Sequence, residues 1–476
     1  MVKGKMLRNG IAIALFSAGI SVQAIAAIEE NDLAERLAKT HDVRKAKNVI
    51  LFVGDGMGVS TVTAGRILEG QMRGNPGEEN YLSFERFPYS SLVKTYNYDS
   101  QVSDSAGTAS AMNTGIKSRI GTFGVSPYQP SKKCEGSRRY HVPTLAEQAE
   151  RAGMSTGIVT TARLTHATPA AVYAHSPSRD WESDTELTDE AKRNGCEDIA
   201  SQLLSFDYGD GIDVALGGGR KMFRPAGKGP GVRKDGRDLI EEWRARGGVF
   251  VGNRNMLLDH RASSGKKLLG LFSASHLPYV VDRAPKIPSL SEMTEVAIKK
   301  LLQNDNGFYL MVEAGRIDHA HHDGNAYRAL NEVIEFHEAV NTALELVGDD
   351  TLIMVTADHS HVFTMAGYPD RGNPIFGTVK RGGENVLASD DKPYTTLGYQ
   401  NGPGAINGER PSVTDGEASG KNYKQQAVVP LWSETHAGED VPIYATGPWA
   451  HLVTGTMDQT MVFHIMKHAL GFSDLD

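Results

Sequence analysis

The sequence predicts an α/β fold: a large, mostly parallel central sheet flanked by helices on both faces, with a small loop-rich insertion near its end. Three observations carry that expectation. Four short apolar runs are separated by segments with helical spacing. The runs are apolar at nearly every position instead of at alternate ones, as in strands covered on both faces under two helix layers. Between about Gly372 and Ser433 the texture changes to Gly, Asn, Pro, Asp and Ser, which reads as an inserted loop-rich subdomain.

Taken in order, residues 1–26 come first. Lys3, Lys5 and Arg8 precede an apolar run from Ile11 to Ile20, and Ala24-Ile25-Ala26 fits a small-x-small cleavage site. This is the pattern of a secretory signal peptide, and the run is too short for a membrane span. The expected location is periplasmic or secreted, with residues 27–476 as one domain and no membrane span in the mature protein. Asn48-Val-Ile-Leu-Phe-Val53 is the first strand, ended by Gly54-Asp55-Gly56. A helix over Thr144 to Ala152 leads to a second strand, Ser155 to Thr160. A helix through Met293 to Leu302 precedes the third, Phe308 to Val312. A long helix from Tyr327 to Val347 precedes the fourth, Thr351 to Thr356.

Charge and cysteine content narrow the chemistry. The formal net charge is −8, and loss of the three basic leader residues takes it to about −11. Such an acidic body is poorly suited to nucleic acid, whose phosphates are held by Lys and Arg. In an exported chain the two cysteines, Cys134 and Cys196, are expected to form one disulfide, with two unpaired thiols as the alternative. Two cysteines cannot build a thiolate metal cluster, so any metal must be held by carboxylates and histidines.

Those residue types gather at the strand ends. Asp55 follows the first strand; His166 and Thr168 lie soon after the second; Glu313, Asp318 and His322 follow the third; Asp358-His359 follows the fourth. In open α/β sheets, ligands bind outside the carboxyl ends of strands. Asp318 and His322, four apart, share a helical face. Asp358 and His359 would diverge on a regular strand, so they converge only where the strand has ended. Gly54-Asp-Gly-Met-Gly58 is a poor dinucleotide loop: Val59 stands at the third glycine position, and Asp55 would repel a pyrophosphate.

The stretch Asp104-Ser-Ala-Gly-Thr-Ala-Ser-Ala-Met-Asn-Thr-Gly115 is built almost wholly from small residues. Asp104 is a good N-cap, which puts Ser105 at the first helical position, where the backbone dipole favours an anion such as phosphate. Small residues behind it would let the helix end approach a metal centre. No Gly-x-Ser-x-Gly elbow surrounds Ser105, so activation by metal is the expectation.

Together these motifs resemble the alkaline phosphatase family over about Lys47 to Leu470. The carriers are Val53-Gly-Asp-Gly-Met-Gly58, Asp104-Ser-Ala-Gly-Thr-Ala109, His166-Ala-Thr-Pro-Ala170, Val312-Glu-Ala-Gly-Arg-Ile-Asp-His319, Thr356-Ala-Asp-His-Ser-His361 and Glu434-Thr-His-Ala-Gly-Glu-Asp440, in the family's order. The resemblance implies a metal-dependent phosphomonoesterase, hydrolysing phosphate monoesters through a covalent phosphoserine on Ser105. It implies one zinc on Asp318, His322 and His436, and a second on Asp55, Asp358 and His359. It implies a magnesium ion on Asp55, Thr168 and Glu313, and Arg179 as the phosphate grip. Asp104, His166 and His319 would support these groups from behind; His166 and His319 are similar to the animal-type members, where some bacterial ones have Asp and Lys. The 372–433 region resembles the family's crown-like subdomain in short form. A homodimer is implied, with Leu33 and Leu37 on an arm over residues 29–41. Animal members also carry a calcium site, but Gly270-Leu-Phe-Ser273 has serine where they have a carboxylate, and Arg283 to Pro288 is not acidic, which argues against calcium here. Phosphodiesterase, sulfatase and non-catalytic metal or phosphate binder are the competing readings. Cys134-Glu-Gly-Ser-Arg138 lacks the proline of the sulfatase stretch, Arg179 and the third metal set favour a terminal phosphate over a diester, and a full ligand set with its nucleophile disfavours a mere binder.

Overall fold

Ten strands form the central sheet of the computed structural model, which describes residues 40–260 and 265–472. In chain order they are β1 (Asn48–Gly54), β2 (Tyr89–Lys94), β3 (Ser155–Arg163), β4 (Val214–Gly218), β5 (Val249–Val251), β6 (Leu268–Leu271), β7 (Phe308–Ala314), β8 (Thr351–Ala357), β9 (Val441–Thr446) and β10 (Thr456–Asp458). Across the sheet they run β10-β2-β9-β8-β1-β7-β3-β4-β6-β5. Every pairing from β8 to β5 is parallel, and β9 alone runs against its two neighbours. The four strands legible in the sequence are the adjacent central quartet β8-β1-β7-β3.

Both faces of that quartet are covered: every residue of β1, β7 and β8 is buried. Register shows which helix covers which face. Phe52 packs edge-on against Phe336 of the helix Ala326–Leu346, with ring centroids 5.9 Å apart. Phe52 pairs with Val312 on β7, so Tyr309, three residues earlier, points the other way. There its hydroxyl donates to Asn113 Oδ1 at 2.8 Å, on the helix Ser105–Thr114. The long helix and the small-residue helix therefore lie on opposite faces. Glu313, four residues from Tyr309, shares the face of the small-residue helix.

All ten residues of Ser105–Thr114 are buried, and the helix packs against Thr460–Ala469. Asp104 caps it, accepting from the Gly107 amide at 3.2 Å, and Gly115 ends it in the left-handed region. The expected loop-rich region, 372–433, holds short strands, including Leu397–Gly402 and Ala427–Pro430 in a three-stranded sheet with Phe363–Met365. Ile375, Phe376, Leu397 and Tyr399 pack with Ile67, Leu68 and Leu330 in a satellite core against two helices of the main body. Cys134 and Cys196 are bonded, their Cα atoms 6.0 Å apart, beside buried Trp181.

Asp42–Asp476 forms one compact unit; of a separate unit, Met1–His41, only the last two residues are described. The signal peptide expected over 1–26 and the arm expected at Leu33 and Leu37 lie outside the described residues. Among the described residues no helix is long and apolar enough to cross a membrane.

Candidate active site

The carboxyl ends of β8, β1, β7 and β3 sit side by side because the four strands are parallel and adjacent. Their following residues meet there, with the first turn of the Ser105 helix above them. Ser105 Oγ lies 3.1 Å from His359 Nε2. That same nitrogen is 3.4 Å from Asp55 Oδ1 and 3.4 Å from Asp358 Oδ2. The Asp358 backbone has indeed left the strand, and its Oδ1 accepts from the amides of Gly56 and His359, each at 3.0 Å. A second group adjoins the first. Asp318 Oδ1 is 3.2 Å from His322 Nε2 and 3.3 Å from His436 Nε2, and the two imidazole nitrogens are 3.1 Å apart. The i, i+4 spacing of Asp318 and His322 lies on the helix Arg316–His322, as the spacing predicts.

Glycines permit this convergence. Gly56 has φ +71°, and a Cβ there would meet the His361 ring at 2.4 Å. At Gly58 a Cβ would meet Ser360 Oγ at 2.0 Å. The glycines around Asp55 thus let two strand ends close on each other, a purpose unrelated to a dinucleotide.

Hydrogen bonding orients the imidazoles. His322 Nδ1 donates to Glu434 O at 2.6 Å, His436 Nδ1 to Ser103 O at 2.7 Å, and His359 Nδ1 faces Ser360 O at 3.3 Å. With the proton assigned to Nδ1 by those carbonyls, each Nε2 presents a lone pair to carboxylate oxygens. Lone pairs facing lone pairs at 3.1–3.4 Å call for a cation between them. Both oxygens of Asp55, Asp358 Oδ2, Glu313 Oε1 and Thr168 Oγ1 are buried and make no well-formed hydrogen bond. Buried polar atoms without partners are costly, and metal coordination would satisfy them.

The electrostatics agree. Burial, reinforced by Asp358, Asp318 and Glu313, pushes Asp55 well above the usual carboxylate range. Burial also raises Asp358, and lifts Glu313 to about 7 against the opposing bond from Thr160. Asp318 goes the other way: in the metal-free protein it raises His322 against the effect of burial, and that positive partner, with hydrogen bonds from His361 and His436, outweighs burial and holds Asp318 well below its ordinary value. A nitrogen–oxygen donor set suits zinc, and the oxygens of Asp55, Glu313 and Thr168 suit magnesium. Thr168 lies beside Glu313, where its hydroxyl favours the ionised carboxyl.

Arg179 reaches the same place from the loop after β3. Its Nη1 donates to Asp104 Oδ2 at 3.0 Å and its Nη2 to His166 Nε2 at 3.1 Å. Asp104 thus caps the serine helix with one oxygen and steers Arg179 with the other. His166 also lies within metal-sharing distance of Asp55 and Glu313. His319 donates from Nδ1 to Gly315 O at 2.7 Å, its ring 5.4 Å from that of His166.

The structure brings together all eight residues expected as ligands, with Ser105 and Arg179. Three residues given no role above join them. His361 Nε2 is 2.9 Å from Asp318 Oδ1, and its Nδ1 is 2.5 Å from Glu434 Oε2. Glu434 pulls the His361 pKa up to about 9 against the effect of burial. His276 completes a trio of imidazoles with His166 and His319, its ring 4.2 Å from the latter. His361 and Glu434 stand inside the motifs quoted above, and the two-residue spacing from His359 to His361 was a usable signal. His276 carried none.

The alkaline phosphatase family model matches residues 46–472. The chain belongs to the alkaline phosphatase family. It is 47% identical over 449 residues to an alkaline phosphatase of Gadus morhua, covering 90% of this chain and 93% of that one. It is 47% identical over 443 residues to the tissue-nonspecific alkaline phosphatase of Homo sapiens, covering 89% and 83%. The likeness to animal-type members at His166 and His319 therefore extends along the chain. Among solved structures, the Thermus thermophilus alkaline phosphatase superposes with a TM-score of 0.66 at 27% identity, covering 91% of this chain and 93% of that one. The enzyme of the Antarctic bacterium TAB5 gives 0.64 at 23% identity, covering 90% and 100%, and shows the shared fold. A variant of the TAB5 enzyme has magnesium bound in its M3 site. Family membership makes the chain a metal-dependent enzyme of phosphomonoester hydrolysis.

Proposed function

We propose that the protein hydrolyses phosphate monoesters through a phosphoserine at Ser105, using two zinc ions and one magnesium ion. The observation that carries this is the convergence of imidazole lone pairs and unpartnered buried carboxylate oxygens on one side of the Ser105 hydroxyl. Zinc ions held by Asp318, His322 and His436, and by Asp55, Asp358 and His359, would supply Lewis acidity at the attacking and leaving oxygens and an acidified water, with a magnesium ion on Asp55, Thr168 and Glu313 adding positive charge.

The chain's own groups do the rest. Ser105 gives up its hydroxyl proton to solvent as Oγ forms its bond to phosphorus, and the ester oxygen, as its bond to phosphorus breaks, takes a proton from solvent and leaves as the free alcohol. Water then attacks phosphorus from the vacated side, releasing inorganic phosphate and restoring the serine hydroxyl. The Ser105 helix points its positive end at the phosphate. Arg179, already fixed by Asp104 and His166, offers a planar two-pronged donor to two phosphate oxygens. His166 and His319, their pKa values pulled down by burial and His319 to about 4, stay neutral behind the third metal set.

The Cys134–Cys196 disulfide suits an enzyme working outside the cytoplasm, periplasmic or secreted. The family's usual homodimer is part of the same reading, with 372–433 as its crown-like subdomain. Calcium is left out of this reading, because in the segment Gly270–Ser273 the Leu271 carbonyl already accepts from Arg220 at 3.0 Å and Ser273 brings no carboxylate.

Release of nitrophenol from a nitrophenyl phosphate, but not from the corresponding bis-ester, tests the substrate class. Comparable rates on the two esters would overturn it. Arg179→Ala is expected to weaken inhibition by inorganic phosphate by roughly 10- to 100-fold, the value of two charge-assisted hydrogen bonds, with bound zinc unchanged. Arg179→Lys should recover little of this, since an ammonium cannot reproduce the fork.

A further inference from the structure

Glu434 is buried to 1% exposure, and both of its carboxylate oxygens are committed. Oε1 accepts from the Val362 amide at 2.8 Å, and Oε2 accepts from His361 Nδ1 at 2.5 Å. Its main chain is bonded to His322 twice: the Glu434 amide donates to His322 O at 3.0 Å, and Glu434 O accepts from His322 Nδ1 at 2.6 Å. Two residues on, His436 pairs with His361 in the short ribbon formed with Ser360–His361. His361 in turn reaches Asp318 Oδ1 at 2.9 Å. On its other side the Glu434 backbone lies against Gly402, where a Cβ would come within 3.0 Å of Glu434 Cβ.

We propose that Glu434 is the positioning residue of the Asp318, His322 and His436 zinc site, its side chain pinning the ribbon and His361 so that all three ligands face one point. The proposal rests on the reading of those three residues as a zinc site. Each ligand is one step from Glu434: His322 through the main chain, Asp318 through His361, and His436 through the shared ribbon. The neighbouring set is held differently. Asp358 is fixed by the amides of Gly56 and His359, and Asp55 follows directly from β1. Loss of the Glu434 carboxylate should therefore loosen one zinc and spare the other. Partners that orient metal ligands from behind are worth about 10- to 100-fold in metal affinity.

The test counts metal and needs no substrate. Zinc-loaded wild type, Glu434→Ala and Glu434→Gln are titrated with a chromophoric chelator, and the cobalt(II) forms are compared by visible absorption with Asp318→Ala, which lacks one site outright. The expected result is that Glu434→Ala releases one zinc about 10- to 100-fold more readily and keeps the other at wild-type affinity. Its remaining cobalt spectrum should match that of Asp318→Ala. Glu434→Gln should fall between, because the amide can still accept from Val362 but meets His361 with a donor. Wild-type retention of both zincs by Glu434→Ala, or equal weakening of both, overturns the proposal. Should Glu434→Ala fail to fold, His361→Gln carries the same expectation of one weakened zinc, and wild-type affinity there is equally decisive. A protein that binds both zincs as expected but cleaves no phosphomonoester would refute the catalytic reading and leave this one standing.

Discussion

Ser105→Ala is expected to abolish phosphomonoester turnover, by about four orders of magnitude or more, while the zinc content stays close to that of the wild type. Removal of a covalent nucleophile takes with it nearly all catalysis beyond what binding and charge stabilisation provide. The two halves of the result come from different parts of the site. Ser105 Oγ stands 3.1 Å from His359 Nε2, at the focus of the carboxylates and imidazoles, but it is not needed to assemble them. Asp358 is held by backbone amides, His322 and His436 by backbone carbonyls, and the strand ends by the sheet. Parallel assays of nitrophenol release and bound metal check both halves. Full activity in the variant would sink the phosphoserine intermediate, and loss of metal would show that the hydroxyl is part of the scaffold.

Stripping the metal should change how stability depends on pH. In the metal-free protein Asp55, Asp358 and Glu313 all have raised folded-state pKa values, Glu313 at about 7 against an ordinary 4.5. A carboxyl raised on folding contributes stability that is fully present below its unfolded pKa and disappears as pH climbs through its folded value. For Glu313 that window runs from about 4.5 to about 7, and its contribution is on the order of 3 kcal/mol. Asp318 is depressed, so its contribution is present above its ordinary range and is lost only at more acid pH. Chelator-treated protein should therefore lose the Glu313 contribution as pH rises from about 4.5 to about 7. Zinc- and magnesium-loaded protein should show little of this slope, because bound cations keep the same carboxylates ionised and paired. Denaturant melts at several pH values, with and without chelator, measure the difference; parallel curves would mean that these acids do not answer to metal.

The central quartet of strands was readable because burial on both faces leaves a near-continuous apolar run, a pattern that survives without any knowledge of partners. The remaining six strands were not. β5, β6 and β10 have three or four residues each, too few for periodicity, and β2 alternates in burial where it pairs with the reversed β9. The candidate ligands were legible for a similar reason: Asp55, Glu313 and Asp358 each stand at or just past the end of an apolar run, where a charge is out of place. His276 gave no signal, and Glu434 none beyond its place at the head of a quoted motif. One sits in a loop after β6 and the other in the loop-rich stretch before β9, regions where polar residues are the rule.

The chemistry of the protein, then, was set down in one dimension. Residue types, their positions at strand ends and the small-residue helix behind Ser105 sufficed to name a metal-dependent phosphate site. Register and burial settled what spacing along a chain cannot express. Which face Glu313 looks toward follows from the pairing of β7 with β1, and which nitrogen of each imidazole faces inward follows from a carbonyl more than a hundred residues away for His322 and more than three hundred for His436. Such choices depend on distances between segments remote in sequence, and those distances exist only after the chain has folded.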